Sequence, residues 1–286
     1  MSTNQDNIFL GAHQSISGGI YKAILRAAEI NTNTLQIFTK NSNRWKGKEI
    51  PEDDIKKFLK LIEDYQIKKI IAHAPYLVNL ASSNKDIVKK SIVSLTEDIE
   101  NCLKLNINFL VLHPGSHKGE GIEKGIENIV KNLNTILKSY LNDNITILLE
   151  TTAGQGNSVG HKFEHLESIY KKIDFPEKIG FCLDTCHMFA AGYDFRTAET
   201  YNMLKEQLSN TLKLTNIYAI HLNDSKKELG SRVDRHEHIG LGFIGENGFK
   251  YFLNDRDFKD IPFIIETPKE NNMDVKNINE LKILLE

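Results

Sequence analysis

Ile145-Thr-Ile-Leu-Leu-Glu150 is an almost unbroken apolar run closed by a carboxylate. A short, near-continuous run of this kind suits a strand buried on both faces, as in a parallel sheet. Seven more such runs lie along the chain: Ile8–Leu10, Thr34–Phe38, Lys69–Ala72, Asn108–Leu112, Ile179–Leu183, Ile217–Ile220 and Pro262–Ile265. Their starts are 26 to 45 residues apart, about one βα unit each. Helical patterns fill the intervals. Pro51-Glu-Asp-Asp54 opens one, with acids suited to a helix N-terminus, and Ile55, Phe58, Leu59 and Ile62 follow at i, i+3, i+4, i+7. Ile87–Leu105, Leu204–Leu214 and Ile278–Leu285 repeat the period. Eight strands alternating with helices predict a (β/α)8 TIM barrel rather than a doubly wound open sheet, which usually has fewer strands.

Composition narrows the function classes. The 286 residues include 36 basic and 38 acidic side chains, so the net charge of −2 excludes a strongly cationic DNA-coating protein. It leaves room for nucleic-acid binding through a local patch or a bound metal. No apolar stretch approaches the roughly 20 residues that span a bilayer. The opening MSTNQDNIFLGAH has neither a cationic n-region nor a long apolar core. Three cysteines exclude a disulfide framework. With no linker or composition shift, the expectation is a single domain over 1–286, soluble and cytoplasmic, with no membrane attachment.

The strand endings carry the chemistry. Six consecutive runs end in or beside a metal-type residue: His73, His113, Glu150, Asp184, His221 and Glu266. One such ending, taken alone, reads as a structural residue. Six together do not, because all C-terminal strand ends of a parallel barrel converge on one face, the face that carries active sites. The loops add His187, three residues past Asp184, and the Asp234-Arg-His236 pair. Imidazole and carboxylate donors in this mixture suit Zn2+, Mn2+ or Fe2+. Nine donors exceed what one tetrahedral ion can use. Two ions about 3.5–4 Å apart can clamp the attacking and leaving oxygens of a phosphoester.

Several motifs carry a family resemblance. His73-Ala-Pro-Tyr-Leu-Val-Asn-Leu-Ala81, Gly180-Phe-Cys-Leu-Asp-Thr-Cys-His187 and Ile220-His-Leu-Asn-Asp-Ser-Lys226 closely resemble signatures of the endonuclease IV family of apurinic/apyrimidinic endonucleases. So do Gly11-Ala-His13, Phe38-Thr-Lys-Asn41, His113-Pro-Gly-Ser-His117, Glu150–Gly156 and Gly230–Gly242, in order and spacing from about residue 8 to residue 268. The resemblance implies three Zn2+ per chain at the C-terminal face of the barrel, with Mn2+ an alternative at one site. It groups His73, His113 and Glu150 at the first ion. Glu150, shared, joins Asp184, His221 and Glu266 at the second. His187, Asp234 and His236 hold the third. It also implies hydrolysis of the phosphodiester 5′ to an abasic site by a hydroxide held between two ions, and trimming of blocked 3′ ends, with Glu150 the least replaceable residue. Three dications would bring the net charge of −2 to about +4. The implied partner is double-stranded DNA with an abasic site or damaged 3′ end, met by a monomer.

DNA contacts implied by the resemblance fall on Tyr76, Asn41 and Arg44. The family typically has Arg two places before the Trp of the strand-two loop; here Asn43 stands there, and Arg44 directly precedes Trp45. Arg44 is expected to take over after a small loop shift. Lys40, Lys118, Lys226 and Arg235 are further candidates for phosphate contacts. Gly240-Leu-Gly-Phe-Ile-Gly245 matches a dinucleotide fingerprint but follows a polar loop rather than a strand, so it reads as a tight turn supporting the ligand segment. Cys182 and Cys186 read as small buried residues. The alternative enzyme is a metal-dependent sugar isomerase or epimerase on a related barrel, for which Glu150, Asp184, His221 and Glu266 would suffice. A non-catalytic damage-binding module would show a degenerate ligand set, and no ligand is missing.

Overall fold

The computed structural model describes residues 8–270 and 272–286; the first seven residues of the stretch read for a signal lie outside them. Eight parallel strands close into a barrel: β1 (Phe9–Gln14), β2 (Thr34–Phe38), β3 (Lys69–His73), β4 (Phe109–Leu112), β5 (Thr146–Glu150), β6 (Ile179–Asp184), β7 (Ile217–His221) and β8 (Pro262–Ile265). Each pairs with its sequence neighbours, and β1 closes against β8 with Phe9 opposite Pro262. The open-sheet alternative is thereby removed.

Nine helices surround the described strands: α1 (Lys22–Glu29), α2 (Glu52–Asp64), α3 (Lys85–Lys104), α4 (Ile122–Leu137), α5 (Phe163–Lys172), α6 (Thr185–Ala191), α7 (Ala198–Thr211), α8 (Gly245–Leu253) and α9 (Met273–Ile283). Among them, none is long and apolar enough to cross a membrane. Caps place the helix starts where periodicity alone did not. Asn84 accepts from Asp86 and Ile87 amides and begins α3 two residues before the apolar pattern. Thr197 and Thr200 form a reciprocal cap that begins α7 at Ala198, well before Leu204.

Most buried apolar side chains fill the layer between strands and helices. A second, smaller core lies inside the barrel: Ile71, Val111, Leu148, Cys182, Ala219 and Ile264, with Phe109 and Tyr218 stacked beside it. Each of those six precedes a metal-type residue by two positions. Side chains two apart on a strand share a face. The apolar layer therefore forces His73, His113, Glu150, Asp184, His221 and Glu266 to point inward, one step nearer the C-terminal mouth. The strands themselves reach to His73, Glu150, Asp184 and His221, one residue beyond the apolar runs.

β1 is longer than the run Ile8–Leu10 suggested, because Gly11 and Ala12 are small for packing reasons rather than as a break. Gly11 pairs with Thr34 of β2, and a Cβ on it would lie 1.9 Å from the Thr34 carbonyl oxygen. Both groups are backbone in one ladder and cannot turn aside. Gly11→Ala is expected to destabilise the protein by about 1–3 kcal/mol or more, the range for overpacking a tight site. Urea unfolding of the variant checks this; an unchanged midpoint would refute the close-approach argument.

Candidate metal centre

Glu150, at the end of β5, is fully buried. Its Oε2 lies 3.1 Å from His73 Nε2 and 2.9 Å from His113 Nε2. Its Oε1 lies 3.0 Å from His221 Nδ1 and 3.4 Å from His187 Nδ1. One carboxylate thus faces four imidazoles carried by different elements. Asp184 ends β6 and caps α6, where its Oδ1 accepts from the His187 amide. Its Oδ2 accepts from Asn223 Nδ2 at 2.7 Å and lies 3.7 Å from His236 Nε2. His187, one turn into α6, places Nε2 3.1 Å from Asp234 Oδ2.

The nine residues meet in three groups whose donor atoms lie within 4.8 Å of one another. They are His73, His113 and Glu150; Glu150, Asp184, His221 and Glu266; and His187, Asp234 and His236. Cys186 also falls near Asp184 and His236, but burial raises its thiol to about 12, so it stays a protonated, soft donor.

Main-chain carbonyls set the tautomers of three imidazoles, since a carbonyl can only accept. His73 Nδ1 donates to the Ala74 carbonyl at 2.6 Å, His187 Nδ1 to that of Thr151 at 2.9 Å, and His236 Nδ1 to that of Glu266 at 3.1 Å. In each case the lone pair sits on Nε2 and faces a carboxylate. His236 Nε2 is buried without a hydrogen-bond partner. In the neutral rings these lone pairs confront carboxylate oxygens at 3–4 Å, a contact that either a shared proton or a divalent cation must bridge. Bare imidazole nitrogens oriented by hydrogen bonds at the far nitrogen are also the arrangement that metal ligation uses. The donor set therefore fits divalent ions.

Electrostatics in the protein alone point the same way. Burial works against the Glu150 charge, but His113, His221 and hydrogen bonds from His113 and His187 hold its carboxyl well below the usual range. Glu266 is held low in spite of burial, chiefly by His221. Burial disfavours charge on His187, yet Asp184 and Asp234 raise it well above the ordinary value. His221 is raised against burial by Cys182, Glu266 and Glu150.

Tyr76 stands at the mouth, 62% exposed, with its ring 5.5 Å from those of His73 and His113. It lines a cavity of about 250 Å3 together with His113, His187, Asp234, His236 and Glu266. Asn41 lines a larger groove of about 930 Å3 that also takes in His13, Phe38, Asn43 and Lys269. Arg44 is exposed in the same β2 loop but lines neither. Lys40 requires a correction. It is buried, 2.9 Å from Asp98 and 3.2 Å from Glu97, and it donates to the Ser94 carbonyl, so it anchors the loop and cannot reach a phosphate. Gly240–Gly245 is a turn held by Asp224, which accepts from the Gly242 and Ile244 amides, as a supporting role requires.

Two residues at the site escaped the sequence reading. Asn223 accepts from the Glu266 amide while donating to Asp184, and Gln36 joins His13, His221 and Glu266. The available signal was a fully polar side chain, Gln36, inside the apolar run Thr34–Phe38.

The shifted groups give a sign for the ion-free protein. His187 and His221 bind protons more tightly when folded. Their contribution is full below the ordinary 6.5 and is lost as pH rises through the raised values. Glu150 and Glu266 shift the other way, so theirs is present above the ordinary 4.5 and lost as pH falls. Chelator-stripped protein is expected to lose urea midpoint steadily as pH rises above the upper of these values, where His13, His161 and His165, whose values burial lowers, are neutral in both states and cannot offset the loss. A midpoint that holds or rises on the alkaline side would contradict the ion-pair account.

The comparisons agree with this geometry. Residues 24–284 match the family model described as a xylose isomerase-like TIM barrel. A protein of Geobacter sulfurreducens named a probable endonuclease 4 is 43% identical over 281 residues, covering 98% of this chain and 95% of that protein. One of the same name from Chloroflexus aurantiacus is 42% identical, with 94% of each covered. The crystal structure of endonuclease IV from Thermus thermophilus superposes with a TM-score of 0.84 at 32% identity, covering 96% of this chain and 98% of that one. The chain belongs to the endonuclease IV family of xylose isomerase-like TIM barrels.

Proposed function

We propose that this protein is a DNA-repair endonuclease that hydrolyses the phosphodiester 5′ to abasic sites, leaving a 3′-hydroxyl and a 5′-deoxyribose phosphate, and that trims blocked 3′ ends. The observation that carries the reading is the gathering of nine donors into three groups, two of which share Glu150. His73, His113 and Glu150 would hold one zinc ion; Glu150, Asp184, His221 and Glu266 a second; His187, Asp234 and His236 a third, with manganese an alternative at one of them. Bound there, such ions acidify water to near-neutral pKa and offset charge on the phosphate and its leaving oxygen.

The chain's own groups supply the remainder. Glu150 keeps its charge at neutral pH and ties the first two groups together. Asn223 and the α6 N-terminus hold Asp184 in one orientation. The cavity that Tyr76 lines is small and walled by polar side chains, as a site for a sugar phosphate requires. An abasic nucleotide lacks stacking and pairing, so turning it out of the duplex costs little. Tyr76 is exposed at the rim of that cavity and would enter the space the missing base leaves, with Asn41 and Arg44 contacting the duplex from the β2 loop. Exposed Lys46, Lys89 and Lys90 line a groove with Trp45 of the β2 loop and would follow the backbone. A monomer acting on cytoplasmic DNA completes the reading.

A sugar isomerase would need only the group of Glu150, Asp184, His221 and Glu266. It leaves His73, His113, His187, Asp234 and His236 without a purpose, so their oriented lone pairs favour the nuclease.

An end-labelled duplex with one abasic site, incubated without added Mg2+, is expected to yield a single cut 5′ to the lesion with an extendable 3′ end. Glu150→Gln should lower that rate by at least about a hundredfold, since loss of mere supporting partners of ligands already costs 10–100-fold. No cut by protein shown to hold three metal ions per chain would overturn the assignment. Arg44→Ala should weaken binding to the abasic duplex about tenfold, equivalent to ~1.4 kcal/mol. Equal affinity in a gel-shift titration would remove Arg44 from the recognition loop.

A further inference from the structure

Gln36 is the side chain of β2 that hydrogen-bonds into the ring of donors, and its contacts determine one another. It is fully buried. Its Nε2 lies 2.5 Å from Glu266 Oε1, and an ionised carboxylate only accepts, so the NH2 end of the amide must face Glu266. The second hydrogen of that NH2 reaches His13 Nδ1 at 2.9 Å, making this nitrogen an acceptor. The amide oxygen is then left for His221 Nε2, 2.8 Å away. An amide oxygen only accepts, so His221 carries a proton on Nε2, and in the neutral ring that ligation requires the lone pair is on Nδ1. That lone pair faces Glu150 Oε1 at 3.0 Å, Glu266 Oε2 at 3.4 Å and Asp184 Oδ2 at 3.8 Å.

His221 therefore differs from its neighbours. His73, His187 and His236 present Nε2 and are held by main-chain carbonyls. His221 presents Nδ1, and the fold offers it no carbonyl in that role. We infer that Gln36 is a positioning residue of the second ion-binding group: its amide sets the Nδ1-presenting tautomer of His221 and aims Glu266, leaving the other two groups untouched. The inference rests on the metal reading above. It adds that one group of donors depends on a residue that is not a ligand.

The test is zinc retention under graded chelator competition, with metal content per chain measured by atomic emission. Wild-type protein should hold three ions. Gln36→Met, close in volume but without hydrogen bonds, should release one of the three at 10–100-fold lower chelator strength, with the other two unchanged. Gln36→Glu keeps an acceptor for His221 but offers Glu266 a like charge instead of an N–H, so it should also release one ion early. A general packing defect would loosen all three together. Nitrogen-15 spectra of the imidazoles in zinc-loaded wild-type protein give a reading that needs no variant: His221 should carry its proton on Nε2, whereas His73, His187 and His236 carry theirs on Nδ1. Equal retention by wild type and both variants, or a His221 proton on Nδ1, would overturn the role of Gln36. Wild-type protein that holds no zinc would instead overturn the metal reading itself.

Discussion

A charged carboxylate at the centre of a closed barrel is the constraint around which this molecule is arranged. Removing a carboxylate from water costs several kcal/mol unless partners replace the lost solvation. Glu150 has no water-exposed surface, so every compensating group must come from the protein or from ions it holds. His73, His113, His187 and His221 do this from four separate elements. Those imidazoles then need orientation, and the carbonyls of Ala74 and Thr151 and the amide of Gln36 provide it. The polar ring is thus a connected network in which each member's geometry follows from its neighbour's.

Rigid and adaptable parts divide along the strand ends. Six of the nine donors sit on the last residues of barrel strands or directly after them, where ladders on both sides fix the backbone, and a site of this kind needs tight placement. Most of the surfaces assigned to DNA lie on loops, and at least one loop is anchored rather than free. Thr39 donates to Asp98, Lys40 pairs with Asp98 and Glu97, and the Gly47 amide donates to Glu97. Both ends of the Asn41–Lys46 segment are therefore tied to α3. The acidic pair on α3 does for the loop what the barrel does for the donors: it places side chains before any partner arrives.

The same anchoring explains why a local reading of charge failed at Lys40. A lysine in a polar loop next to a binding motif reads as a phosphate contact. Its actual partners, Ser94, Glu97 and Asp98, are more than fifty residues away in sequence and come from a helix one βα unit later. No window on the chain contains both halves of that interaction.

Strand number, alternation with helices, and the six inward residues at strand ends were legible in the sequence. They follow from local rules: buried parallel strands are continuously apolar, and a period of two puts Leu148 and Glu150 on one face. The polar loops after the sixth and seventh strands added His187, Asp234 and His236, and the family resemblance then grouped the nine by ion. The side-chain distances around Glu150, the hydrogen bonds that orient the donors, and the imidazole tautomers belong to the tertiary structure. They depend on distances between residues far apart in the chain, such as Gln36 and Glu266 or His73 and Glu150, that only the closed ring of strands brings to about 3 Å. The exposed start of α7 and the small residues of β1 were hidden for a related reason. Caps and close backbone approaches are satisfied by geometry, and they leave little trace in hydrophobic pattern.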